Sequence, residues 1–247
     1  MKTQKTKSSL RKLSTAVALT AALANVEVTQ ADDTAAFMPN PDTTAVLITD
    51  PQNDFMSESG AAWGLVKDNV TRLGTNENIA SLMKAAKSAD MQLFVSPHSY
   101  YEHDKHWHER GPVQGLMNKI DMFRVDGPTT YANFKNSGAD FYPPLKQYIE
   151  DGKTVITSPH KVYGPDSNDL VLQLRKRGIQ TVLLGGFAAN LCTDSHMREL
   201  TEQGFNVVVV KDAVGAPSEE AYQAALTNYN MIANAVWDTQ QAVSFID

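Results

Sequence analysis

The chain has 247 residues, 42% of them hydrophobic, and a formal net charge of −6 at pH 7. That acidic balance argues against nucleic acid or an anionic membrane as partner. Neither a Gly-x-Gly-x-x-Gly nor a Gly-x-x-x-x-Gly-Lys-Ser/Thr phosphate loop is present, so no cofactor is expected, and a lone cysteine, Cys192, excludes an intramolecular disulfide.

Residues 1–31 are a different kind of sequence. Lys2, Lys5, Lys7, Arg11 and Lys12 form a basic start, and Leu13 to Ala24 form an alanine-rich apolar core. Ala22-Leu23-Ala24 or Thr29-Gln30-Ala31 then offers a cleavage site, so the segment reads as a secretory signal. Its core is shorter than the roughly 20 residues needed to span a bilayer. On this reading residues 32–247 are an exported domain, periplasmic or secreted, with no membrane in the mature form, 17 Lys+Arg against 27 Asp+Glu and a charge of −10. The other reading is a disordered or amphipathic extension, a transit peptide included, on a protein that can equally be cytoplasmic.

Beyond the leader, apolar runs alternate with amphipathic ones, in a length that suits a single domain. Strands are expected over 44–49, 92–96, 153–157, 181–185 and 206–210, and helices over about 75–89, 166–177, 192–203 and 218–235. Pro165-Asp166-Ser167-Asn168 and Pro217-Ser218-Glu219-Glu220 mark two helix starts. Such alternation implies right-handed βαβ crossovers and a three-layer, doubly wound α/β domain with a mostly parallel sheet. Residues 97–150 are irregular, broken by Gly111-Pro112, Gly127-Pro128 and Pro143-Pro144. Long irregular stretches in compact domains usually build a site or an interface.

Three of these strands deliver polar side chains at their C-terminal ends, where an open parallel sheet binds ligands. The first leads to Asp50, followed by Pro51-Gln52-Asn53-Asp54-Phe55. The third leads to Ser158-Pro159-His160-Lys161-Val162-Tyr163. The fourth passes through Gly185-Gly186-Phe187-Ala188-Ala189-Asn190-Leu191 to Cys192, at the start of a helix whose unpaired N–H groups and dipole favour a thiolate. Singly, these residues are also readable as a turn carboxylate, a surface lysine and a core thiol. Jointly they are a base, a cation and a nucleophile. Asp50 would take the thiol proton, Lys161 would stabilise carboxylate and thiolate, and the product would be a thioester that water releases.

Together these three motifs resemble those of the isochorismatase-like cysteine hydrolases, the superfamily that includes nicotinamidase, N-carbamoylsarcosine amidase and ureidoacrylate amidohydrolase, over roughly residues 40 to 245. The resemblance implies a catalytic triad of Asp50, Lys161 and Cys192. It implies a cis peptide between Phe187 and Ala188, with the N–H groups of Ala188 and Cys192 as an oxyanion hole. It also implies a homo-oligomer acting on a small-molecule substrate. Isochorismatases proper cleave a vinyl ether and commonly lack the cysteine, so Cys192 favours cleavage of an amide or carbamoyl bond. An ether hydrolase of that kind, or a noncatalytic small-ligand-binding protein on the same fold, are the alternatives. Phe55, His98, His160 and Tyr163 are the candidates for the substrate pocket.

His98, His103, His106 and His108 crowd one segment. Nicotinamidases bind a metal through an aspartate and histidines in the corresponding loop, but two residues before His98 this chain has Ser96. No metal is therefore expected, with His98 and His103 the remaining candidate ligands, in a solvated loop of which one or two histidines line the mouth of the site. His196, four residues after Cys192, is expected to face either the site or the solvent.

Overall fold

The computed structural model describes residues 37–125 and 130–247, and the expected signal at 1–31 lies outside them. Among the described residues six strands form one sheet in which every pairing is parallel. They are β1 Thr44–Thr49, β2 Gln92–Ser96, β3 Val155–Ile156, β4 Thr181–Phe187, β5 Asn206–Gly215 and β6 Ala235–Trp237, in the spatial order β3-β2-β1-β4-β5-β6. The helices are α1 Asn53–Met56, α2 Trp63–Leu73, α3 Thr75–Ser88, α4 Pro112–Lys119, α5 Tyr131–Phe134, α6 Lys146–Ile149, α7 Leu170–Lys176, α8 Asp194–Glu202, α9 Glu219–Ile232 and α10 Thr239–Ile246.

The expected three-layer, doubly wound architecture is present. β1 is buried at all six positions, as a strand covered on both faces must be. Val46 and Ile48 join a core with Val66, Ile79, Leu82 and Ile246, from α2, α3 and α10. Ala45 and Leu47 join the opposite core with Leu174, Met197, Leu200 and Tyr229, from α7, α8 and α9. The chain runs outward from β1 through β2 to β3 and then returns to β4 on the other side of β1. The order therefore reverses between β1 and β4, which is where such sheets open a ligand crevice beyond their C-terminal ends.

Several boundaries differ from expectation for local reasons. β3 is two residues long, because the Asp151 carboxylate accepts the N–H groups of Lys153 and Thr154, both at 2.9 Å, and holds them in a turn. The helix expected from 166 begins at Leu170, because Asn168 Oδ1 accepts the N–H of Leu170 at 3.0 Å after a short 3-10 turn at Pro165–Ser167. α9 is capped by Ser218, which accepts from Ala221 N, and ends at Ile232, so that 235–237 form edge strand β6 rather than more helix. Helices α2, α4 and α10 add to those expected; α2 and α3 are separated only by Gly74, at φ 66°.

β4 runs through Gly186 instead of stopping at Gly185. Gly186 has φ 119°, and a Cβ there would lie 2.1 Å from the carbonyl oxygen of Thr49, the last residue of β1. Only glycine lets the two strand ends approach so closely. Gly186→Ala should cost at least about 1–3 kcal/mol of stability, read as a lower urea midpoint, and should also reduce activity because Thr49 carries Asp50. A variant with the parent midpoint would contradict this packing.

Candidate active site

The ends of β1 and β4 are stitched together by one hydroxyl. Thr49 Oγ1 lies 3.3 and 3.1 Å from the carbonyl oxygens of Gly185 and Phe187 and 3.2 Å from Thr193 Oγ1. Beyond β1 the chain turns at Asp50, which takes a left-handed φ of 50° while its N–H donates to Ser96 O of β2 at 3.1 Å. Beyond β4 the Phe187–Ala188 peptide is cis, and Ala189–Thr193 form a π-helical turn that runs into α8. Cys192 thus sits in the first turn of a helix, as expected. The N–H groups of Ala188 and Cys192 both point at its sulfur.

Asp50 and His160 are both fully buried, with His160 Nε2 2.8 Å from Asp50 Oδ1. Asp50 Oδ2 has no hydrogen-bond partner among the described residues. His160 is placed by its own backbone, whose N–H donates to Pro97 O at 2.9 Å, in register with His98. The His160 ring lies between those of His98 and His196, at centroid distances of 4.6 and 5.0 Å. His196 faces the site. Its Nδ1 is 2.7 Å from the carbonyl oxygen of Cys192, which can only accept, so Nδ1 carries the proton and Nε2 accepts from Ser96 Oγ at 2.8 Å. Asn168 Nδ2 donates to the same Ser96 oxygen at 3.0 Å.

Gln52, which the sequence did not single out, clamps His98. Its Oε1 accepts the N–H of His98 at 2.8 Å and its Nε2 donates to His98 O at 2.7 Å. The His98 ring stacks on Phe123 with centroids 4.7 Å apart, and neither ring nitrogen has a partner among the described residues. Burial, then the neighbouring His160 and Lys161, hold its pKa well below the ordinary 6.5. Burial, then His160, lower that of His196 to about 3.

Two expectations change here. Lys161 does not contact Asp50: its Nζ donates to Asp104 Oδ2 at 2.8 Å and to Ser99 O at 2.7 Å, and lies 3.5 Å from the centre of the Tyr101 ring. The side chain that meets Asp50 is its neighbour His160, because the chain leaves β3 with His160 directed inward. The thiolate expected from the helix N-terminus is also outweighed. Burial first, and then the Asp50 carboxylate, push the Cys192 thiol well above its ordinary pKa, against the downward pull of the two N–H groups.

The histidine-rich segment does not gather. His98 is buried, whereas His103, His106 and His108 are exposed, His103 Nε2 reaching only Asp104 at 3.4 Å. The position that would supply a nicotinamidase-like carboxylate ligand is Ser96, whose hydroxyl is already engaged by His196 and Asn168, so that ligand set is not reproduced. Asp50, His98, His160 and Cys192 do offer ligand atoms within 4.8 Å of one another, a donor set of zinc type. A cation there would occupy both the Asp50 carboxylate and the Cys192 thiol.

Phe55 and Tyr163 lie on the other side of the thiol, with Ala188 and Cys192, around an apolar cavity of about 130 Å³. Phe55 stacks on Phe187 with ring centroids 5.1 Å apart. The site therefore has a polar half, Asp50, His98 and His160, and an apolar half, and Cys192 belongs to both.

The family model for the isochorismatase domain matches residues 44–241. An uncharacterized isochorismatase family protein from Bacillus subtilis, YwoC, is 35% identical over 89 residues, 36% of this chain and 45% of the relative. The chain spans less than half the length of the first two curated relatives that it matches. Ureidoacrylate amidohydrolase RutB from Rhizobium rhizogenes is 25% identical over 195 residues, 77% of each chain. A cysteine hydrolase from Pseudomonas syringae superposes with a TM-score of 0.67 at 19% identity, covering 85% of this chain and 95% of that one, which shows a shared fold.

Because His98 and His196 are held neutral by burial, the unfolded chain binds their protons first as pH falls below 6.5. Stability present above that pH is therefore lost progressively toward the lowered folded values, with a slope of up to about 1.4 kcal/mol per pH unit for each ring. Urea midpoints measured from pH 7.5 down to 4.5 should fall, and His196→Gln should remove one proton's share of the slope. A flat profile would contradict the burial of these rings.

Proposed function

The chain belongs to the isochorismatase family, and from that premise we propose that it is a cysteine hydrolase that cleaves a C–N bond of a small molecule through a thioester. One feature carries this reading. Asp50 has one oxygen held by His160 and a second, unpartnered oxygen in the same buried cluster as the Cys192 thiol. A carboxylate oriented by one oxygen and free at the other is arranged to take and return a proton. The amidohydrolase named among the relatives supports the choice of bond.

With burial and the Asp50 carboxylate pushing the thiol pKa up, attack and proton transfer go together. As the sulfur bonds to the substrate carbonyl carbon, its proton passes to Asp50 Oδ2 and the carbonyl π pair moves to oxygen, where the N–H groups of Ala188 and Cys192 receive it. The C–N bond then breaks as Asp50 returns the proton to nitrogen. Water enters by the same route: Asp50 takes its proton, oxygen bonds to the thioester carbon, and the C–S bond breaks with the proton restored to sulfur. His160 stays on Asp50 Oδ1 throughout and fixes which oxygen does the work. In this role it stands where the family resemblance implied Lys161.

Cys192→Ala should abolish hydrolysis of small amides, measured as ammonia release, and leave the fold intact. Asp50→Asn should lower kcat by about 10²–10⁴-fold, the usual worth of a general base. Its thiol should nevertheless alkylate at lower pH than the parent's, since the carboxylate that raises the thiol pKa is gone. Lys161→Met should be far milder than His160→Gln. A Lys161→Met variant as dead as His160→Gln would return the lysine to the catalytic group.

A further inference from the structure

The cavity beside Cys192 indicates what the substrate carries. It opens between α2 and α4, with Leu65 and Leu116 half exposed at its rim. Phe55, Met117, Phe123 and Leu191 form its walls, and Ala188 and Cys192 form its floor. The accessible wall is wholly apolar, and no charged side chain lines it among the described residues. Cations elsewhere around it are paired: Lys161 with Asp104, Arg124 with Asp121 at 3.0 Å, and Arg72, beside Leu65 and Pro217, with Glu219. A charged group entering this cavity would lose its hydration and find no partner.

The reaction geometry says which end of the substrate enters. Sulfur attacks the carbonyl carbon, the oxygen turns to the Ala188 and Cys192 N–H groups, and the departing nitrogen must face Asp50, which returns the proton. Asp50 is absent from the cavity wall and lies in the crowded polar half with His98 and His160. The substituent on the carbonyl carbon therefore points away from Asp50, into the apolar cavity. On the nitrogen side Asp50, His98 and His160 are all fully buried, which favours a small group, and there the neutral His98 ring, without a partner among the described residues, can accept an amide N–H. A cavity of about 130 Å³ is close to the roughly 150 Å³ that accepts benzene.

We infer that the substrate is a primary carboxamide of an uncharged, apolar acid, with an acyl substituent of branched aliphatic or phenyl size, and that ammonia is the leaving group. Atoms balance as R–CO–NH₂ plus water giving R–COOH plus NH₃: the C–N bond breaks as C–S forms, and C–S breaks as C–O forms. This rests on the cysteine hydrolase reading, and the experiment separates the two.

Ammonia release is measured for acetamide, isobutyramide, isovaleramide, benzamide and the anionic succinamate. Binding of the same compounds to the Cys192→Ala protein, which cannot turn them over, is measured by calorimetry. The expected result is that kcat/KM rises about three- to four-fold per added carbon, that isovaleramide and benzamide lead, and that succinamate falls at least about 100-fold below them. Val113→Phe, which narrows the cavity from α4, should lower the ratio of benzamide to acetamide kcat/KM at least about ten-fold. Preference for succinamate in turnover and binding would overturn the apolar class while leaving the hydrolase intact. Tight binding of the apolar amides with no ammonia release from any compound would sink the hydrolase and keep the cavity's preference. Binding of none of the apolar amides would overturn the inference itself.

Discussion

A carboxylate with no exposure to water sits at the end of the central strand, and the surrounding architecture is what makes that tolerable. An ionised group buried alone costs several kcal/mol or more, and it persists only when hydrogen bonded or paired. Asp50 receives one such bond, from His160, and is left incomplete on its other oxygen. Everything nearby serves to hold this half-satisfied state. β2 takes the Asp50 N–H through Ser96, the end of β3 aims His160 inward, and Gly186 lets β4 lie against Thr49 so that Cys192 comes within range.

The three buried histidines form a single stack whose members have different duties. His160 holds the carboxylate. His196, fixed in one tautomer by the Cys192 carbonyl and Ser96, ties the Cys192 backbone to β2 and, through Asn168, to the segment before α7. His98 is clamped by Gln52 at its backbone and left free at its ring. The position of the sulfur thus depends on residues from four separate parts of the chain. Lys161, meanwhile, fastens the 99–104 segment over the site by gripping Asp104 and Ser99.

Much of this was legible before any coordinates. Buried parallel strands read as uninterrupted apolar runs, so β1, β2 and β4 are legible in the sequence, and with them the polar residues just past their ends. Asp50 and Cys192 follow the ends of β1 and β4, and the Phe187–Ala188 peptide, which the family resemblance implies to be cis, is cis. Sequence alone does not separate two adjacent residues. His160 and Lys161 both follow a short edge strand, and the side that each faces is set by the pairing of His160 with Pro97 and His98, a contact between segments some sixty residues apart. The upward push on the thiol pKa is hidden from the sequence for a related reason. A helix start is visible in sequence, whereas the desolvation that opposes it arises only when distant segments close around the sulfur. Gln52 gave a signal, lying two residues after Asp50, but its partners at His98 and Ala139 were not deducible.

The wholly apolar wall beside Cys192 also bears on how a catalytic cycle ends. On the proposed reaction a neutral group would become an anion at the floor of a chamber whose walls, among the described residues, carry no charged side chain. Walls that suit the neutral reactant would favour departure of the charged product to water past Leu65 and Leu116. The change of charge would then give the cycle its direction without a moving lid.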